Sequence, residues 1–292
     1  MATTNPLNID IECYHPPSDE EQTIFNILTV YLPEDSPTTP QQAAHQITIL
    51  LPDNQPDNDV IDKPSQGGFL CSLWELMFHI ADQLDYREEP MQRFVMLIEA
   101  IRESPVPFIK ENDRLTDGAR VWQDLPYFSM MLCERWNSMP TPESPNEAHR
   151  REKNINGLIA HFTNKGIYQG QYRAIAMIHR ALECNDGRSR KKLHLQLRKA
   201  TIAYRVPTAA IYLILCAPKL FEACKQRKCQ DSEATGELWK GEPARGYSVA
   251  RWEFWRSRFV VIIDHSDATE ETRESCRAAI EAMDAAVGQA AH

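Results

Sequence analysis

The sequence has little glycine, 11 in 292 residues, and no two-residue hairpin turn joins alternating apolar runs. A hairpin-built or glycine-rich β architecture is excluded on those grounds. No run approaches the roughly 18 to 20 apolar residues that span a bilayer. The longest, VPTAAIYLILCAP (206–218), has the length of a core helix. The start, MATTNPLNIDIECYHPP, has neither the basic opening nor the apolar segment of a secretory leader, so a cytoplasmic protein is expected. Positive charge is also in deficit, with 32 Lys and Arg against 41 Asp and Glu and a net charge of -9. Phosphate backbones and anionic membranes attract positive surfaces, so neither nucleic acid nor membrane is an expected partner. Nucleophile elbow, P-loop, dinucleotide-binding glycine motif and HExxH are missing too, which removes the enzyme classes that depend on them.

Cysteine is present but not in a disulfide pattern. Eight cysteines (Cys13, Cys71, Cys133, Cys184, Cys216, Cys224, Cys229 and Cys276) are scattered through a mid-sized chain, mostly in apolar runs. Packed, reduced thiols fit that distribution better than a stapled secreted domain. Cys224 and Cys229 lack nearby His or Cys partners at zinc-ligand spacing, so no metal and no cofactor are expected.

What the sequence does contain is helix after helix. Ser18 with Glu21 forms a capping-box pattern, and Pro40 opens a second helix. The acidic, proline-rich segment 52–66 reads as a loop, dividing an N-terminal helical extension (1–64) from a main all-α domain (65–292). In the main domain Leu70, Leu73, Trp74, Met77, Ile80, Ala81 and Leu84 share one helical face. Further helical segments follow over 88–104, 125–137 and 146–165, the last closed by Gly166 as C-cap, and then 167–184. A basic helix over 189–204 leads into two proline-headed pieces beginning at Pro207 and Pro218. The opening at Ser248 and a final segment after Thr269 complete a single all-α fold of about ten helices.

Candidate chemistry sits at polar residues that intrude on apolar stripes. On the helix ending near Cys184 the stripe centres on Ile175, with Tyr168, Tyr172, Ile178 and Leu182 on its face. His179 lies about 40° from that centre, inside the stripe. It is either a satisfied core histidine or a group that meets a ligand. On the preceding helix Asn154 and His161 are seven apart and align along one edge of the stripe of Ile155, Leu158 and Phe162, either as ordinary boundary groups or as the flank of a cleft. Two alternatives carry other chemistry. Asp82 and Asp85, with Glu88 and Glu89, form a loose aspartate-rich motif, and Asn185, Asp186 and Ser189 begin a second metal motif of the terpene-cyclase kind. Leu193 stands where its closing carboxylate belongs, and Asp82 projects about 140° from Met77, towards solvent. The basic run RSRKKLHLQLRK has no aromatic to stack a base, and its Leu193, Leu197 and Ala200 stripe reads as an ordinary amphipathic helix.

The stretch GYSVARWEFWRSRF (246–259) places three arginines among five aromatics. With Ser248 as N-cap and Trp252 at the centre, Val249, Trp255, Phe259, Ile262 and Ile263 share a face. Arg251 and Arg258 flank it at about 100° to 120°, where long stems cover the stripe and heads reach water. Arg256 lies about 40° from the centre, so it must snorkel, pair with a carboxylate or meet a polar ligand.

Five segments in order, VWQDLPYFSMMLCERWN, NINGLIAHFTNKG, YRAIAMIHRALE, VPTAAIYLIL and LWKGEPARGYSVARWEFWRSRF, resemble an ascomycete domain-of-unknown-function family whose namesake is protein G of an oxopyrrolidine biosynthetic cluster. The resemblance spans roughly residues 65 to 285. It implies a fungal, intracellular protein, some of whose relatives sit in secondary-metabolite gene clusters, and it assigns no catalytic residues. The expected function is an accessory or tailoring role in secondary metabolism, with a small hydrophobic molecule bound in a helical cleft. His179 and His161 are the candidate acid–base groups; Asn154, Arg256, Trp252 and Tyr172 are the candidate ligand-binding groups. A non-catalytic interaction module and a metal-dependent cyclase are the alternatives.

Overall fold

A computed structural model describes residues 7–11, 16–52, 65–105, 118–137, 145–184, 195–228, 235–241 and 245–290. Ten helices run in the order α1 (Asp19–Tyr31), α2 (Pro40–Thr48), α3 (Gln66–Ala81), α4 (Glu89–Arg102), α5 (Phe128–Asn137), α6 (Pro145–Lys165), α7 (Gln171–Leu182), α8 (Leu195–Lys225), α9 (Val249–Ile263) and α10 (Glu270–Gln289). No strand occurs among the described residues, so the fold is all-α as the periodicity predicts.

Local signals written in the sequence set these boundaries. Ser18 and Glu21 make the reciprocal capping box of α1, and Thr39 with Gln42 makes the same box before Pro40 in α2. Each box satisfies two N–H groups that the helix start would leave unpaired. Gly166 ends α6 at a φ of 72°, a left-handed conformation that costs other L-residues.

The chain divides into two compact units, Met1–Leu158 and Ile159–His292, and the boundary falls within α6. The first unit packs α2 on α4, α3 on α5, and α1 on both α2 and α3. α3 is buried nearly all round: Leu70, Leu73, Trp74, Met77 and Ile80 on the predicted stripe are covered, and so are Phe69, Phe78 and His79 off it. The second unit packs α10 on α8 and α9, and α7 on α8 and α9.

α8 joins what the sequence reads as three segments. Proline removes a backbone donor and crowds the preceding turn, so breaks are expected at Pro207 and Pro218. Instead the helix continues past Pro207 and departs from helical geometry at Cys216, where φ is -138° and ψ is 28°. There the Cys216 thiol donates to the Tyr212 carbonyl at 2.9 Å. By length and composition Ile202–Lys225 meets the requirement for crossing a membrane, contrary to the short-run reading, but 72% of its apolar window is buried inside the structure. It is a core helix of its unit.

Candidate functional site

The polar centre of the second unit forms where α7 ends. Glu183 caps that helix, its N–H donating to the His179 carbonyl at 3.0 Å. Its carboxylate is fully buried and receives four N–H groups. Arg251 donates through Nε to Oε1 at 2.6 Å and through Nη2 to Oε2 at 2.9 Å, Trp255 Nε1 donates to Oε1 at 2.6 Å, and the Gly236 N–H donates to Oε2 at 3.0 Å. The Glu183 main-chain carbonyl takes the Leu238 N–H at 2.9 Å. Gly236 is required here by close approach, because a Cβ on it would stand 2.3 Å from the Glu183 carbonyl oxygen. Arg251 starts in the first turn of α9, where its N–H donates to the N-cap Ser248 at 3.1 Å. Its guanidinium also donates to Gly246 O at 2.7 Å and lies 5.4 Å over the Trp255 ring. A buried ion pair survives desolvation when hydrogen bonds beyond the pair itself support its charges, and here Trp255, Gly236 and the Gly246 carbonyl supply them.

Arg251 corrects the sequence reading, which sends its head to water beside Arg258. It is fully buried. The helical wheel gives the direction of the side chain but not what covers that direction, and segment 235–241 together with the α7 C-terminus covers it. Arg258 lies half-buried, donating to Leu182 O at 3.0 Å. Glu183, Trp255 and Gly236 are residues of this centre that sequence reasoning does not nominate. No spacing rule ties position 183 to position 251.

The nominated residues have different surroundings. His179, one turn before Glu183, is half-buried, with Nε2 3.6 Å from the Cys184 Sγ. Desolvation lowers its pKa, Glu183 opposes that, and Arg251 and Arg180 add to it. Burial and the Glu183 charge raise the Cys184 thiol. The pair is therefore a neutral imidazole beside a neutral thiol, suited to passing a proton. Trp252 is 1% exposed and packs its ring 5.2 Å from that of Phe221 on α8. Its Nε1–H finds no acceptor among the described residues. Tyr172 is half-buried, its hydroxyl 2.5 Å from that of Tyr168. His161 is half-buried on α6. Arg256 makes a two-point pair with Asp284 on α10, at 2.6 and 2.7 Å, with its side chain 42% exposed.

Asn154 belongs to the first unit. Its Nδ2 donates to Asp82 O at 2.9 Å and its Oδ1 accepts from the Tyr86 N–H at 3.3 Å, which ties α6 to the end of α3. Asp82 itself corrects the expectation of a solvent-facing carboxylate, since it is fully buried. It stands at the C-cap of α3, and Arg135 from α5 and Arg151 from α6 close over it. Arg135 Nε donates to Oδ2 at 2.6 Å, and Arg151 lies 3.6 Å from Oδ1. Burial pushes the Asp82 carboxyl up to about 6 against the pull of Arg135. Asp85 pairs with Arg87 at 2.7 Å. Asn185, Asp186, Ser189 and Leu193 of the second metal motif lie outside the described residues, as do the side chains of the basic run through Ala200. Of the cysteines, Cys71, Cys133, Cys184, Cys216, Cys224 and Cys276 are free thiols, and Cys13 and Cys229 lie outside the described residues.

A family model described as protein of unknown function (DUF3632) matches residues 74–259, and the chain belongs to that family. The match begins on Trp74 of α3 and ends on Phe259 of α9, so it takes in both the Asp82 and the Glu183 centres. No curated protein and no solved structure matches the chain.

Proposed function

We propose that this family member is an accessory or tailoring protein of fungal secondary metabolism that binds a small hydrophobic molecule in its second unit, with His179 as the acid–base group. The observation that carries the reading is the indole of Trp252. A buried N–H without an acceptor costs on the order of 1–3 kcal/mol, and native interiors seldom leave one so. Trp252 holds such a donor against the ring of Phe221, and an apolar molecule carrying one acceptor atom would satisfy it. His179 supplies a neutral imidazole on the helix whose end the Glu183–Arg251 pair fixes, which is the state a general base needs near neutral pH. The cytoplasm is the compartment in which free thiols such as Cys184 persist.

The test is metabolite profiling of a deletion strain complemented with wild type, Trp252→Phe or His179→Ala, each at equal protein level. The deletion is expected to lose a product, and both variants to fail to restore it. If Trp252→Phe restores the full profile, the indole donor has no part in the function.

A further inference from the structure

The peptide that follows α7 is held from both sides. The Glu183 N–H donates to the His179 carbonyl at 3.0 Å, and the Glu183 carbonyl accepts the Leu238 N–H at 2.9 Å. The Glu183 carboxylate is fixed in turn by Arg251, Trp255 and Gly236. Cys184 follows this anchored residue directly, so its main chain starts from a fixed point. Its Sγ stands 3.6 Å from His179 Nε2, within hydrogen-bonding reach for an atom as large as sulfur. A cysteine with an imidazole in reach is the arrangement of a base-activated nucleophile.

Exposure separates Cys184 from the packed thiols. Cys216, Cys224 and Cys276 are buried, and burial pushes the Cys224 and Cys276 thiols up to about 12. Cys184 is half-buried, as Cys71 and Cys133 are, so solvent reaches its side chain. The charges around the pair keep both of its groups neutral near pH 7. Burial and Glu183, helped by Glu237 of segment 235–241, hold the thiol protonated against Arg205 of α8 and Arg180. Burial, Arg251 and Arg180 hold the imidazole unprotonated against Glu183. The thiol is then activated at the moment when His179 takes its proton, not by resting as a thiolate.

The movement of that proton points to a class of electrophile. Addition to a conjugated carbonyl needs a group that first takes a proton and then returns it, and one imidazole does both. His179 Nε2 removes the Sγ proton, using the tautomer with the ring proton on Nδ1. The sulfur forms a bond to the β-carbon, and the C=C electron pair moves towards the carbonyl. The imidazolium then gives its proton to the α-carbon. The S–H adds across the double bond, no group leaves, and no oxidant or reductant is consumed.

We infer that Cys184, with His179 as its base, is a covalent acceptor site for a small α,β-unsaturated carbonyl compound. This rests on the small-molecule reading above and adds the chemical class of the ligand and the atom that takes it.

The probe is methyl vinyl ketone, added in limiting amount to the purified full chain. Peptide mass spectrometry reads the uptake at each cysteine over time at pH 7 and pH 8. Cys184 is expected to react ahead of the half-buried Cys71 and Cys133. Its rate should be nearly the same at both pH values, because the base already carries no proton. His179→Gln removes the base and keeps a polar side chain of similar size. Cys184 should then react about a hundredfold more slowly at pH 7, the lower end of what a positioned base supplies. Its rate should also climb about tenfold from pH 7 to pH 8, following the thiolate fraction. A merely structural histidine would not change that pH profile. If the variant exposes Cys216 and Cys276 to the reagent, its fold has been lost and the wild-type profile decides. A wild-type Cys184 that reacts no faster than Cys71 and Cys133, a wild-type rate that climbs about tenfold per pH unit, or a folded His179→Gln protein that keeps the wild-type rate overturns the assignment. The metabolite experiment also reads Trp252 and the whole gene, so the two readings fail separately.

Discussion

Glu183 and Arg251, 68 positions apart, hold each other through hydrogen bonds of 2.6 and 2.9 Å with neither side chain exposed. Removing one partner strands the other charge in the interior, a loss of about 3–5 kcal/mol. Arg251→Ala and Glu183→Ala should each show that loss in urea unfolding. The double replacement Glu183→Leu with Arg251→Met should cost far less than the two single losses added together. A strictly additive double variant would mean that the two residues do not act as a pair.

Gly236 makes a sharper test, because it changes no charge. An alanine there places its Cβ 2.3 Å from the Glu183 carbonyl oxygen, against main chain that cannot swing away. Segment 235–241 then has to lift, losing the N–H to Glu183 at 3.0 Å and the Leu238 bond at 2.9 Å. We expect Gly236→Ala to cost about 1–3 kcal/mol and to speed proteolysis within 235–241. Gly166→Ala is the comparison. Nothing lies within 4 Å of its added Cβ, so only the strain of a φ of 72° remains, about 1–2 kcal/mol, and cleavage of 235–241 should not change.

Two titrations oppose each other at the Asp82 centre. Burial, followed by the charge on Arg135, lowers His79 from 6.5 to about 4, so its contribution to stability is present above 6.5 and is lost as pH falls towards 4. Burial raises Asp82 from 3.8 to about 6, so its contribution is present below 3.8 and is lost as pH rises through 6. Between about 4 and 6 the two slopes offset each other. His79→Gln removes one of them. The stability difference between wild type and His79→Gln should grow as pH goes from 4 to 6.5, and for Asp82→Asn it should change in the opposite direction. Urea midpoints at several pH values read both, and a pH-independent difference in either series contradicts the corresponding shift.

The helices were legible because their signals are local. Ser18 with Glu21, Pro40, Gly166 and Ser248 each declare an end within four residues, and the structure uses each as predicted. The stripe around Trp252 was legible for the same reason, since Trp252, Trp255, Phe259 and Ile262 are all buried. What failed was inference about the other side of a helix. Asp82 and Arg251 both point away from their stripes, yet both are covered by segments distant in sequence: Arg135 and Arg151 over one, Glu183 and residues 235–241 over the other. Periodicity describes one helix at a time, whereas a helix clothed on all sides has no solvent face to predict. The α8 reading failed for a related reason. The tertiary packing of α8 carries the helix past Pro207, where local propensity alone predicts a break.

Arg256, singled out by its angle, takes one of the outcomes that its position allows, a carboxylate partner, and it does so near the surface. Its pair with Asp284 joins α9 to α10 with good geometry, but the two side chains are 42% and 51% exposed. Water screens such a pair, and fixing two flexible side chains costs entropy, so exposed pairs contribute about 0–1 kcal/mol. Arg256→Ala should therefore fall within that range, shrink further in high salt, and lie well below the cost of Arg251→Ala five positions earlier. Side-by-side unfolding curves of the two variants at low and high ionic strength measure this directly. A salt-insensitive loss above about 2 kcal/mol at Arg256 would exceed what an exposed pair supplies and would point to a contact that the Asp284 pair does not account for.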